Sequence, residues 1–120
     1  MPILKKLFIL TALPLCAFAN SEMEALYLKN ACNSCHGMYG EGMGASPRLQ
    51  GVSEDILLRR LKDLQQGKPR TAFGTVMVSF AKALDENQTK AMAKYLSNLK
   101  TKVNEERYDI KYDPAGDGGS

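Results

Sequence analysis

Apolar positions recur at helical spacing in two stretches of this chain, and a capping pattern marks a third. "EDILLRRLKDLQQG", residues 54 to 67, places Ile56, Leu57, Leu61 and Leu64 on one stripe before Gly67 stops it. Ser53 precedes that run, and Glu54 and Asp55 occupy its first turn, where negative charge suits a helix start. "ENQTKAMAKYLSNLK", residues 86 to 100, puts Ala91, Met92, Tyr95, Leu96 and Leu99 on one face, and Asp85 with Gln88 three later forms a capping box. Ser21 with Glu24 repeats the box ahead of "EMEALYLKNAC", residues 22 to 32, so a helix is predicted there that ends in the first cysteine of a CxxC pair.

Between the helices the period disappears. Residues 37 to 51, "GMYGEGMGASPRLQG", hold five glycines and a proline and predict a loop. Residues 67 to 80, "GKPRTAFGTVMVSF", contain a β-branched run from Thr75 to Val78, but no second strand pattern exists to pair with it, which predicts an extended loop. After Thr101 the pattern fades. The last seven residues, "PAGDGGS", predict disorder, and the alternation of Tyr108, Ile110 and Tyr112 predicts that part of the tail lies against the domain.

The amino terminus changes the accounting. Lys5 and Lys6 precede an apolar run from Leu7 to Leu15, with small residues Ala17 and Ala19 beyond it, which is the layout of a secretory signal cut after Ala19. That run is shorter than the roughly 20 residues needed to span a bilayer. Cys16 follows the bulky Leu15, which disfavours lipid attachment. The predicted organisation is a signal over 1–19, one domain over 20–100 and a polar tail over 101–120, with no internal repeat.

Without the leader 101 residues remain, and the net charge falls from +3 to +1. Nothing in that balance points to nucleic acid. So short a chain buries little apolar surface and calls for a staple or a buried cofactor. Charge is uneven: residues 48 to 102 carry eleven Lys or Arg against five Asp or Glu, while 103 to 120 carry two against five. A solvated helical face with an acidic tail accounts for this, and a docking face for a redox partner is the sharper alternative.

Candidate chemistry concentrates in "KNACNSCHGMYG", residues 29 to 40, which holds Cys32, Cys35 and His36, the only histidine. A disulfide across so short a loop stabilises little. A thioredoxin-like site follows a strand in an alternating α/β chain, and zinc needs four ligands where the chain beyond the leader has three Cys or His. CxxCH is what covalent haem attachment requires: two thiols add across the two porphyrin vinyl groups, and the adjacent imidazole becomes the proximal iron ligand. A buried haem also answers the shortage of core.

"NACNSCHG" after a short helix, a Gly-rich loop into "PRLQG", a helix ending "LQQGK", a methionine seven residues before "LDENQ" and a closing helix with "AKYLSNL" together resemble the small bacterial class I cytochromes c. They are also similar to one half of the two-haem periplasmic members. The likeness covers about residues 22 to 100, and the tail departs from the family pattern. It implies an all-α fold with three main helices and irregular loops around one covalently attached haem c. It also implies a distal methionine ligand. Of five methionines beyond the leader, Met38 stands too near His36, Met23 and Met92 lie in helices, Met43 in its loop has the reach, and Met77 occupies the family's ligand position. The resemblance further places the carbonyl of Pro47 behind His36, and sets Tyr27 or Leu28 against Tyr95 where the first and last helices cross.

A thioether ligand favours reduced iron, and two strong axial ligands leave no position for substrate. The implied function is a periplasmic single-haem electron carrier, not an enzyme, working between redox protein donors and acceptors. A haem-bearing subunit that accepts electrons from an oxidoreductase is the alternative, with the tail as its docking segment. A haem sensor or catalyst with an open sixth position is a third.

Overall fold

The computed structural model describes residues 20–102. The leader over 1–19 with Cys16, and the alternation of Tyr108, Ile110 and Tyr112, lie outside the described residues. Five α-helices run in the order α1 (Asn20–Lys29), α2 (Asn33–His36), α3 (Glu54–Gln65), α4 (Met77–Lys82) and α5 (Glu86–Ser97), with a 3₁₀ turn over Phe73–Val76. Among the described residues no strand forms, and the sole bridge pairs Met43 with Ser46. The fold is all-α.

The helix starts and stops differ from the sequence pattern in three places. The first helix is already running at Asn20, so Ser21 lies inside it and not at a cap, which requires non-helical backbone. It also stops before the cysteines. Ala31 takes φ +58°, its amide donates to Leu28 O at 3.0 Å, and the Cys32 amide donates to Tyr27 O at 3.0 Å. These are the paired bonds of a left-handed helix terminus, built here on alanine where glycine is usual. Cys32 then stands at the cap of α2, and His36 N donates back to Cys32 O at 3.0 Å, so the motif forms its own short helix.

The third difference is the segment read as extended. From Phe73 to Lys82 it is helical, first 3₁₀ and then α. β-Branched residues prefer strands only where a neighbour supplies the ladder. Lacking one here, Thr75, Val76 and Val78 bond within their own segment, and tertiary contacts fix it: Ala81 is buried against α3.

Other local signals hold. Asp85 and Gln88 make a reciprocal capping box, with Gln88 N donating to Asp85 Oδ1 at 2.7 Å and Asp85 N to Gln88 Oε1 at 3.0 Å. Ser53 stands at the start of α3 in extended backbone, though its hydroxyl caps nothing.

The core joins Met23 and Tyr27 of α1, Leu57 of α3, and Met92, Ala93, Tyr95 and Leu96 of α5. Tyr27 and Tyr95 meet with ring centroids 6.3 Å apart and planes tilted by 56°, a favourable edge-leaning arrangement. Tyr27, not Leu28, makes the crossing: Tyr27 is buried against Tyr95, while Leu28 is 40% exposed. With α5 packed on both α1 and α3, and α4 on α3, the helices leave α2 and the loop over 37–53 to close the remaining side.

Candidate functional site

His36 is 4% exposed at the end of α2, and three contacts hold it there. Its Nδ1 lies 2.8 Å from the carbonyl oxygen of Pro47. A carbonyl only accepts, so Nδ1 carries a proton, and in the neutral ring that leaves Nε2 with the lone pair through which imidazole binds a metal. The His36 carbonyl receives Gly42 N at 2.8 Å. One residue on, the Gly37 carbonyl receives the Tyr27 hydroxyl at 2.7 Å, which ties the motif to the centre of the helix crossing.

The loop that brings Pro47 to the ring depends on Gly42. Its φ is +86°, and a Cβ there would stand 2.8 Å from Arg48 N and 3.0 Å from Ser46 O. Those are backbone atoms of the strap carrying Pro47, so any side chain at 42 would push the strap off the histidine. Leu49 N and Gln50 N both donate to Gly40 O, at 2.8 and 2.9 Å. The half-buried Arg48–Gln50 corner adds a guanidinium bond to Gln50 Oε1, and Gln50 Nε2 donates to Thr101 Oγ1 at 2.8 Å.

In front of His36 lies a cleft with overwhelmingly apolar walls. Tyr27, Asn30 and Cys32 line it from the end of α1 and the turn after it, Leu49 from the loop, Leu61 from α3, Met77, Phe80 and Ala81 from α4, Leu84 beyond it, and Met92 and Leu96 from α5. Both Cys32 and Cys35 are free thiols; Cys32 is half-buried on the cleft, and Cys35 is exposed. Burial pushes the Cys32 thiol above its ordinary pKa.

The methionines separate by position. Met77, half-buried at the start of α4, lines the same cleft as His36. Met43 and Met38 are each 53% exposed and do not line it. Met23 belongs to the core, and Met92 belongs to the core while also reaching the cleft wall.

Gln65 went unnoticed in the sequence, although it is as central as any of these. Its side-chain amide donates to Ala81 O at 3.0 Å and to Thr89 Oγ1 at 2.8 Å, joining α3, α4 and α5 behind the cleft. A signal existed: position 65 continues the Leu57, Leu61 row at i+4, so a polar side chain there faces inward.

This donor set fits a flat apolar macrocycle carrying a metal. An imidazole with a free Nε2 and a thioether face into apolar space, with a thiol at its edge. Among the described residues no three of His, Cys, Asp and Glu gather to hold a bare ion.

A family model for Cytochrome c matches residues 22–100. Cytochrome c-553 of Helicobacter pylori (strain ATCC 700392 / 26695) is 32% identical over 96 residues, covering 77% of this chain and 97% of the relative. Cytochrome c-552 of Acidithiobacillus ferridurans is 38% identical over 69 residues, 58% of this chain and 29% of the relative. The thiosulfate dehydrogenase electron acceptor of Stutzerimonas stutzeri (strain A1501) is 35% identical over 69 residues, 57% of this chain and 32% of the relative. The match thus spans under a third of the length of these last two.

Proposed function

The chain belongs to the cytochrome c family, whose cofactor is covalently attached haem c, and from that premise we propose that it is a periplasmic single-haem electron carrier with His36 and Met77 as axial ligands. The haem supplies a one-electron change between Fe(III) and Fe(II). Cys32 and Cys35, spaced as CxxCH, hold it by thioether bonds. Pro47 keeps the proton on Nδ1 of His36 and so keeps Nε2 basic and aimed into the cleft. The apolar walls exclude water, which limits the reorganisation that accompanies a change of charge.

One observation carries the ligand reading: Met77 lines the apolar cleft that His36 closes, whereas Met43, the rival in the loop, is exposed away from it. Replacing Met77 with Ala is expected to abolish the methionine-to-iron charge-transfer band of the oxidised protein and to open the iron to carbon monoxide once reduced. A band that survives in that variant and disappears on replacing Met43 or Met92 overturns the assignment. Carbon monoxide binding by the unsubstituted reduced protein at neutral pH would favour an open sixth position instead.

Export is supported by the leader pattern over 1–19, and no helix of the described residues is long and apolar enough to cross a membrane. Burial, and after it repulsion from Arg70 and Arg59, holds the Arg60 guanidinium below its ordinary pKa. Among the described residues the ion pairs are Lys62–Glu86 and Lys90–Glu86, so these arginines supply a solvated cationic face for a partner rich in carboxylates.

The relative named as an electron acceptor of thiosulfate dehydrogenase favours a second reading, a haem-bearing subunit that receives electrons from an oxidoreductase. A free carrier purifies as a monomer with a dispensable tail. A subunit co-purifies with a catalytic chain and loses it when residues after Thr101 are removed.

A further inference from the structure

Gln65 ends α3 at a corner where three elements meet. Its Nε2 lies 2.8 Å from Thr89 Oγ1, 3.0 Å from Ala81 O and 3.4 Å from Leu84 O. All three partners are acceptors. Two are carbonyls, and the Thr89 hydroxyl has already given its proton to Asp85 O at 2.7 Å. The amide must therefore present its NH₂, and not its oxygen, to this corner. Thr89 is fully buried, so no water competes for the site.

The helix held at that corner cannot hold itself. α4 is six residues long, too short to be stable by its own hydrogen bonds. Its buried residue is Ala81, one turn beyond Met77, so the two share a face. Carbonyls of a last helical turn lack intrahelical donors. Here Ala81 O takes Leu84 N at 3.2 Å and the Gln65 amide, and Leu84 O takes the amide as well.

We propose that Gln65 is a positioning residue for the Met77 thioether: by donating to Ala81 O and Thr89 Oγ1, with Leu84 O at 3.4 Å beside them, it pins α4 so that the thioether stays in the cleft with His36. This rests on the reading of Met77 as distal ligand, which the Met77→Ala spectrum tests separately. Loss of the corner frees α4 before it disturbs the core, because the core cluster of Met23, Tyr27, Leu57, Met92, Ala93, Tyr95 and Leu96 contains no residue of α4.

The test uses the oxidised holoprotein, following the methionine-to-iron charge-transfer band against pH and the far-ultraviolet circular dichroism of the same samples. Gln65→Leu keeps the volume and removes the donors. It is expected to lose the band roughly one to two pH units below the unsubstituted protein, a roughly ten- to hundredfold rise in the detached population, with helical signal intact. Gln65→Glu sets a carboxylate against acceptors and is expected to regain the band as acid protonates it into a donor. Leu57→Val, which loosens the core without touching α4, is the comparison. A Gln65→Leu band that persists to the unsubstituted pH, or shifts no further than that of Leu57→Val, overturns the proposal. Should Gln65→Leu fail to fold, Thr89→Val removes one acceptor and decides by the same shift: band loss at lower pH supports the proposal, and no shift overturns it.

Discussion

Tyr27 directs its hydroxyl to the carbonyl of Gly37, the residue after the histidine, at 2.7 Å in a fully enclosed setting. Desolvation is the main reason its phenol pKa lies well above the ordinary value, with Tyr95 and Glu41 adding to it. A raised pKa means that above about pH 10 the unfolded chain releases this proton while the folded chain retains it, so stability falls with pH. The contribution is whole below the unfolded phenol pKa and is lost as pH rises toward the folded one. Tyr27→Phe is therefore expected to cost about 1 kcal/mol at neutral pH, the net worth of one buried hydrogen bond, and to flatten the decline above pH 10. Denaturant melts of both proteins at pH 7 and 11 measure it; equal slopes would show that the phenol does not titrate with folding. Cys32, Cys35 and His36 were identifiable in sequence because their chemistry is written in adjacent letters. The contact of His36 with Pro47 was accessible only by resemblance, since the two stand eleven positions apart across a loop.

At the scale of the element, the break between α1 and α2 turns on Ala31. Its φ of +58° lies in the left-handed region that favours glycine, and its own and the next amide close the terminus of α1. An L-residue there stores roughly 1–2 kcal/mol, part of which glycine returns through its freer unfolded chain. Ala31→Gly is expected to stabilise by about 0.5–1 kcal/mol, read as a rise in melting temperature with an unchanged visible spectrum. A lower melting temperature would mean that the alanine side chain packs on the holoprotein. No sequence cue predicted this stop, because alanine is the best helix former and nothing local forbids continuation. Residues 73–82 failed for the opposite reason: their β-branched letters favour extension, and only Gln65 and α3 make them helical. The two long stripes and the Asp85–Gln88 box were legible because hydrophobic period and capping act within one or two turns.

For the whole molecule, the cleft decides stability. Leu61, Phe80, Leu84, Met92 and Leu96 turn apolar surface toward it, and each such side chain contributes about 1.5–3 kcal/mol when fully covered. Domains of this size hold only about 5–15 kcal/mol in total. The exposed pairs of Glu86 with Lys62 and Lys90 cannot make up such a loss, although Lys90 foremost holds the Glu86 carboxyl below its usual range. The double variant Cys32→Ala, Cys35→Ala, which cannot attach haem, is expected to lose cooperative thermal unfolding and near-ultraviolet dichroism while keeping part of its helical signal. A sharp melting transition in that variant would show that the helices close without the cofactor.

The amino-acid sequence by itself determined the cofactor, the two long helices and the all-α class, because each depends on bonding or periodicity over a few neighbouring residues. Tertiary structure decided that Met77 and Met92, and not Met38 or Met43, line the cleft with His36, and which partners on α4 and α5 the inward-facing Gln65 finds. Those outcomes depend on contacts between residues far apart in the chain, such as Pro47 on His36 and Thr89 on Gln65, where chain geometry and packing override local preference.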